Sequence, residues 1–203
     1  EGTPADCVVA GLEAGCADVG AVVSGCNKGA NLGAYVLGRS GTVSAAVESA
    51  FFGVPAIAAS LYVPGGGDVP WQEQATDTAD FRNATRATAY LLRHAIDAGV
   101  FERTGYLNLN APLADGSDAH APIEITRPST LYDMTAERDG DGRVTLHDGI
   151  WERMRSGDLP DPAGTDRRAV VEGRVSVSPL TAPHTTEGHE ALDGLAEAYP
   201  DTV

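Results

Sequence analysis

Two asparagines, one lysine and two hydroxyls gather around a run of glycines near the amino terminus. Asn27, Lys28 and Asn31 lie among Gly25, Gly29 and Gly33, and Ser40 and Thr42 flank Gly41 a few residues on. Glycine lets the backbone turn tightly and approach a ligand, and amides and hydroxyls add short polar contacts. The Ser-Gly-Thr pattern opens a helix, whose start presents unpaired N–H groups and the positive end of its dipole. An anion of phosphate size fits this set, so Gly29, Asn31, Ser40, Gly41 and Thr42 are the candidate phosphate- or substrate-binding residues. No side chain in the set is assignable as catalytic. A dinucleotide fingerprint needs G-x-G-x-x-G and a P-loop needs G-K-[ST]; neither is present. The G-x-x-x-G spacing is that of a membrane helix dimer, but Asn27, Lys28 and Asn31 exclude an apolar span. The loop alone reads equally as a plain turn, and it is the helix start that favours a ligand. Lys28 either neutralises phosphate charge or is simply solvated.

The elements around these residues are those of an α/β protein. Ala21 to Ser24 is a short apolar strand, of the kind buried on both faces of a parallel sheet. Thr42 to Phe52 is an alanine-rich helix closed by Gly53, and Pro55 to Ala59 is the next strand, which makes a βαβ unit. Upstream, Thr3-Pro4-Ala5-Asp6 carries an N-cap, a proline at the first helical position and a capping-box acid. Asp6 therefore reads as a cap rather than a catalytic acid. Gly65-Gly66-Gly67 is a loop, and Asp77 to Ala98 is a long amphipathic helix ended by Gly99. Tyr106 to Asn110 and Ile123 to Thr126 are strands.

From Leu131 the character changes. Tyr132 to Arg138 and Arg143 to His147 flank Asp139-Gly140-Asp141-Gly142, a hairpin turn signal. A calcium loop of the EF-hand type would need a downstream bidentate Glu, which is missing. Ser156 to Thr165 is a Pro- and Gly-rich loop, Asp166 to Glu172 a short helix, Arg174 to Leu180 a strand, and His189 to Tyr199 a last helix. The division is 1–130, an α/β core, and 131–203, a hairpin, a returning strand and a tail.

Composition bounds the partners. The chain has 203 residues, an apolar fraction of 42% and a net charge of −15, with one Lys against thirteen Arg. Such a surface repels nucleic-acid polymer and anionic membrane alike. No run approaches the ~18 apolar residues of a membrane span. An acidic, Lys-poor surface suits concentrated salt, where self-repulsion is screened; the alternative is an ordinary acidic protein from a GC-rich genome. Cys7, Cys16 and Cys26 lack metal spacing and read as small buried thiols in a reducing, cytoplasmic compartment. The five His show no zinc pattern.

In this order the pieces resemble the SurE family of survival-protein nucleotidases. Gly2-Thr3-Pro4-Ala5-Asp6-Cys7-Val8 is similar to the family's G-T-P-x-D-C-V, and Val23 to Gly33 to its V-S-G-x-N-x-G-x-N-x-G. Ser40 to Ala46 is similar to S-G-T-V-x-A-A, Leu107 to Pro112 to L-N-I-N-x-P, and Thr165 to Leu180 to T-D-x-x-A-V-x-x-G-Y-V-S-I-T-P-L, with Arg174 at the Tyr. The resemblance implies a Rossmann-type three-layer fold with a mostly parallel sheet, a projecting hairpin and a C-terminal tail helix, the last two used to form a homodimer or homotetramer. It implies metal-dependent hydrolysis of nucleoside 5′-monophosphates or another small phosphomonoester, with Mg²⁺ or Mn²⁺. Asn27 matches the family's asparagine metal ligand. The family's Asp-Asp pair and serine ligand lie upstream of its G-T-P motif, where this chain begins, so this stretch alone is expected to be inactive. The alternative is a nucleotide- or phosphate-binding module without turnover.

Overall fold

Thr3 caps the first helix as its sequence signals. Its side chain accepts from the Asp6 N–H while the Asp6 carboxylate accepts from the Thr3 N–H, so two orphan donors of the first turn are satisfied. In this computed structural model residues 1–64, 73–114, 116 and 120–182 are described. The Gly65 to Gly67 loop and the helix expected from His189 to Tyr199 lie outside them.

Helix α1 (Pro4–Ala10) runs on as a wider turn over Gly11–Gly15. Strand β1 (Val22–Lys28) is followed by short helix α2 (Ala34–Leu37), α3 (Gly41–Phe51) and β2 (Ala56–Tyr62). A 3-10 turn at Thr78–Phe81 leads into α4 (Arg82–Ala95), then β3 (Tyr106–Pro112) and β4 (Ile123–Ile125). Next come β5 (Met134–Arg138), β6 (Val144–Asp148), α5 (Gly149–Ser156), α6 (Asp166–Val171) and β7 (Val175–Leu180). Among the described residues no helix is long and apolar enough to cross a membrane.

Five strands form one sheet in the order β1-β2-β3-β7-β4. Strands β1, β2 and β3 are parallel; β7 returns antiparallel to β3, and β4 lies parallel to β7. All seven residues of β2 are buried, as a strand covered on both faces requires. One face carries Ala56, Ala58 and Tyr106 against Val43 and Ala46 of α3; the other carries Ile57, Ala59, Leu107 and Leu109 against Ala84, Ala87 and Ala95 of α4. Small residues on both helices let the three layers approach closely. A third cluster, of Leu32, Tyr62, Ile150, Met154, Leu159 and Val170, joins α5 and α6 to the segment after β1.

Several expected boundaries move. Strand β1 runs to Lys28, so Gly25, Cys26 and Asn27 lie in the sheet rather than in the loop, with a register shift between Ser24 and Asn27. A Cβ at Gly25 would sit 2.2 Å from the Ala59 carbonyl oxygen, which explains a glycine inside a paired strand. Helix α5 occupies residues left unassigned between the hairpin and the loop, and takes in Ser156, read as the start of that loop. Its apolar residues Ile150 and Met154 are four apart and cover the third cluster, a signal too short to stand out beside the hairpin. Cys7 and Cys16 are exposed rather than buried, because α1 buries none of its residues: it leans on α3 with Pro4 against Gly41. Cys26 is partly buried, and burial pushes its thiol up to about 11, so it is a poor nucleophile.

The hairpin β5–β6 is a separate two-stranded sheet. The Asp139 carboxylate accepts from the Asp141 and Arg143 N–H groups and closes its turn, with Gly142 at φ +82°. Val144 and Leu146 are exposed on it.

Candidate ligand site at the carboxyl end of the parallel strands

The parallel strands all finish at one end of the sheet, where open α/β folds bind ligands. Helix α3 runs back between β1 and β2, so its amino terminus opens at that same end. The candidate residues meet there from the loop after β1 and from the start of α3.

Asn27 closes β1. Its side-chain amide nitrogen donates to the Gly29 carbonyl at 2.5 Å, which leaves its amide oxygen as the atom able to meet a ligand. The Gly29 N–H donates to the Leu61 carbonyl, and Gly29 holds φ +126°, a conformation glycine tolerates.

Asn31 is buried and tied down on all sides. Its N–H donates to Asn110 Oδ1 at 2.7 Å, and its side-chain nitrogen to Ser60 Oγ at 2.8 Å. Its carbonyl accepts from the side-chain amides of Asn108 at 2.9 Å and Asn110 at 3.1 Å. Three polar residues at the ends of β2 and β3 thus fix a single loop residue. A buried network of this kind is stable only when satisfied.

Two residues on, Gly33 donates its N–H to Asp166 Oδ2 at 2.7 Å. Asp166 Oδ1 accepts from the N–H groups of Ser129 and Arg167, so one fully buried carboxylate knits three chain segments together. Burial pushes the Asp166 carboxyl above its ordinary value, against the three amides and the Arg167 guanidinium that pull it down. Arg167 is itself 1% exposed and donates to Ser129 Oγ and the Leu131 carbonyl. A Cβ at Gly33 would lie 2.1 Å from its Nη2, and Gly33 holds φ +85°.

Ser40 is the N-cap of α3: its Oγ accepts from the Val43 N–H at 3.1 Å, and its hydroxyl proton is left to donate. The cap uses the third amide of the helix, and the Gly41 and Thr42 N–H groups precede it as first-turn donors. Gly41 is exposed and Thr42 half-buried.

Reasoning from sequence missed the aromatic corner beside this helix start. The Tyr35 hydroxyl donates to Asp148 Oδ2, and the Tyr132 ring meets Tyr35 edge-on at 5.2 Å. The guanidinium of Arg39 lies over the Tyr35 ring at 5.5 Å and that of Arg167 at 5.4 Å. Burial first, then the bond to Asp148, pushes the Tyr35 phenol well above its ordinary value, so it stays neutral. Nothing local announces contacts across such separations. Asn108 and Asn110 did carry a signal, since two polar residues alternate within an otherwise apolar buried strand.

The donor set does not complete a metal centre. Asn27 offers one neutral oxygen, and among the described residues no group of three or more His, Cys, Asp or Glu is placed to hold an ion. A hard divalent cation takes several oxygens, carboxylates among them.

The family model for survival protein SurE matches residues 1–133. A Haloquadratum walsbyi protein named 5′-nucleotidase SurE is 68% identical over 203 residues, all of this chain and 76% of that protein. One of the same name from Haloarcula marismortui is 64% identical over 202 residues, 99% of this chain and 74% of that protein. The crystal structure of SurE protein from Aquifex aeolicus superposes with a TM-score of 0.69 at 28% identity, covering 97% of this chain and 74% of that one.

Proposed function

The chain belongs to the SurE family, and from that premise we propose that it serves the hydrolysis of nucleoside 5′-monophosphates to nucleoside and phosphate. The observation that carries this reading is a 68% identical relative, named 5′-nucleotidase SurE, that aligns with every residue of the chain. In this reading the Gly41 and Thr42 amides and Ser40 form the phosphate end of the site, and Gly29 and Asn31, whose amides are bonded to Leu61, Asn110 and Ser60, hold the loop beside it. A helix terminus contributes about 0.3–1 kcal/mol per charge where exposed. That is enough to position a phosphate and far too little for turnover, since phosphate-monoester hydrolysis is among the slowest uncatalysed reactions.

Asn27 would give its amide oxygen to Mg²⁺ or Mn²⁺. The described residues do not complete a cation site, so Asn27 would hold the ion only together with other oxygen ligands. That same observation favours a second reading, a nucleotide-binding module without turnover. The test is phosphate release from 5′-AMP and p-nitrophenyl phosphate with Mn²⁺ present. Release supports the nucleotidase; nucleotide binding without release supports the module.

The working form in this proposal is a cytoplasmic homodimer or homotetramer. Among the described residues, hairpin β5–β6 pairs only within itself, and it exposes Val144 and Leu146, the latter by 68%. A lone hairpin is marginal in water, and a second subunit would cover it. Leu146→Glu should lower the mass seen by light scattering; an unchanged mass removes the hairpin from the interface.

A further inference from the structure

We propose that Arg39 is the residue that receives the anionic end of the substrate, a guanidinium made ready by an aromatic ring rather than by a carboxylate. The inference rests on the nucleotidase reading and deepens it by naming a phosphate-contacting side chain.

Arg39 lies over the Tyr35 ring at 5.5 Å. The Tyr35 hydroxyl donates to the Asp148 carboxylate, which pushes electron density into the ring and strengthens its hold on a cation. Buried Arg167 lies near the same ring at 5.4 Å, while Arg39 is exposed.

The charge of Arg39 is otherwise unanswered. Arg153, Arg155, Arg168 and Arg174 each lie against a carboxylate. Arg39 makes no side-chain hydrogen bond or ion pair among the described residues, in a chain carrying 29 Asp and Glu. An attraction to the ring supplies no acceptor oxygen, so the N–H donors of the guanidinium are left to match phosphate oxygens.

Its position points the same way. The Arg39 N–H donates to the Val36 carbonyl, which fixes the backbone of the turn between α2 and α3. The next residue is Ser40, the N-cap, and the Gly41 and Thr42 amides follow it. A phosphate on those amides would have this guanidinium one residue away along the chain. Lys28, the one lysine, is the other cation of this end, but it is a flexible point charge without a fork.

The experiment uses the full-length protein at fixed KCl with Mn²⁺ present. Rates are measured on 5′-AMP and p-nitrophenyl phosphate, and inorganic phosphate binding by calorimetry. Arg39→Ala should raise KM about tenfold on both substrates, hold kcat within about twofold, and weaken phosphate binding by the same factor, as expected for a lost charge-assisted contact. Arg39→Lys should recover only part of this, because it keeps the charge without the fork. Arg93→Ala, on α4 across the sheet, should match wild type. Unchanged KM and phosphate affinity in Arg39→Ala overturn the proposal. So does a rise confined to 5′-AMP, which assigns Arg39 to the nucleoside, or an equal rise in Arg93→Ala, which assigns the effect to bulk charge. If wild type releases no phosphate, the nucleotidase reading fails by itself. Phosphate calorimetry then decides Arg39: weaker binding in Arg39→Ala than in wild type sustains it, and equal or absent binding ends it.

Discussion

Replacing Gly33 by alanine should remove a large share of this protein's stability, although the change adds one methyl group. Two costs combine. Gly33 holds φ +85° and ψ 147°, a region close to glycine-only, and a side chain there is strained by about 1–3 kcal/mol. The new Cβ would also lie 2.1 Å from Arg167 Nη2, a contact no pair of atoms sustains. Arg167 must then move. It is buried, and moving it breaks its bonds to Ser129 Oγ and the Leu131 carbonyl, at 3.2 and 3.1 Å, and its approach to Asp161 at 3.9 Å. Hydrogen bonds from a charged group are worth about 1.5–3 kcal/mol each. With one of the two lost, the total is about 3–6 kcal/mol, against a usual stability of about 5–15. Urea denaturation of the wild type and Gly33→Ala gives the difference, with an unchanged slope as the sign that the end states are comparable. A cycle with Arg167→Met separates the two costs. That single change should cost about 3–5 kcal/mol by leaving Asp161 buried without its partner. In its background Gly33→Ala should cost only the backbone strain, so the two changes should fall short of additivity by about 2 kcal/mol. A cost below about 1 kcal/mol for Gly33→Ala, or strict additivity, would refute the account of the loop as glycine-gated by Arg167.

Three further outcomes are expected. Asn27→Ala should weaken Mn²⁺ binding, read by calorimetry or by Mn²⁺ paramagnetic relaxation, and slow phosphate release with it; unaltered Mn²⁺ affinity removes Asn27 from the ligand set. Stability should rise with KCl into the molar range, because a net charge of −15 with one Lys leaves carboxylate repulsion unscreened in dilute buffer; a denaturation midpoint that is flat or falling contradicts this. Tyr35, Tyr62 and Tyr106 all have phenols raised by burial, so the stability they contribute is present below their ordinary value of 10.0 and is lost as pH climbs through the higher folded values. Phenolate absorbance should therefore lag in the folded protein and jump on alkaline unfolding; three tyrosines titrating normally while the fold persists would contradict the burial assigned to them.

Local chemistry was legible where a short stretch of chain satisfies itself. The Thr3 and Asp6 cap, the Ser40 cap and the turn at Asp139 to Gly142 are all closed by groups within four residues of one another, and composition alone reveals them. Strand β2 was legible because it is apolar throughout, but its carboxyl end was not: Ser60 and Tyr62 belong to the sheet through pairing with β3. Lys28 and Asn27 read as loop for the same reason, since polar residues at the end of a strand look like the turn that follows. Asp166 read as the start of a helix. It does open α6, but it also accepts from Gly33, 133 residues away in sequence, and no spacing rule spans that distance. The Tyr35 corner was invisible for a related cause: its five members come from α2, the turn after it, the segment before β5, the end of β6 and α6, and only the folded chain brings them together.

The insertion of β7 between β3 and β4 bears on how the chain is born. A ribosome delivers β1, β2 and β3 in the order in which they pair, so the parallel half of the sheet can assemble as it emerges. Strand β4 cannot join it, because its partner is β7, and β7 appears about fifty residues later. Until residue 180 is clear of the exit tunnel, the far edge of β3 stays open, with Tyr106 to Asn110 lacking their antiparallel partners. Open apolar edges pair with whatever strand arrives first. Nascent chains that have emerged as far as residues 126 to 174 should therefore be the aggregation-prone ones, and arrival of one late strand covers the open edge of β3.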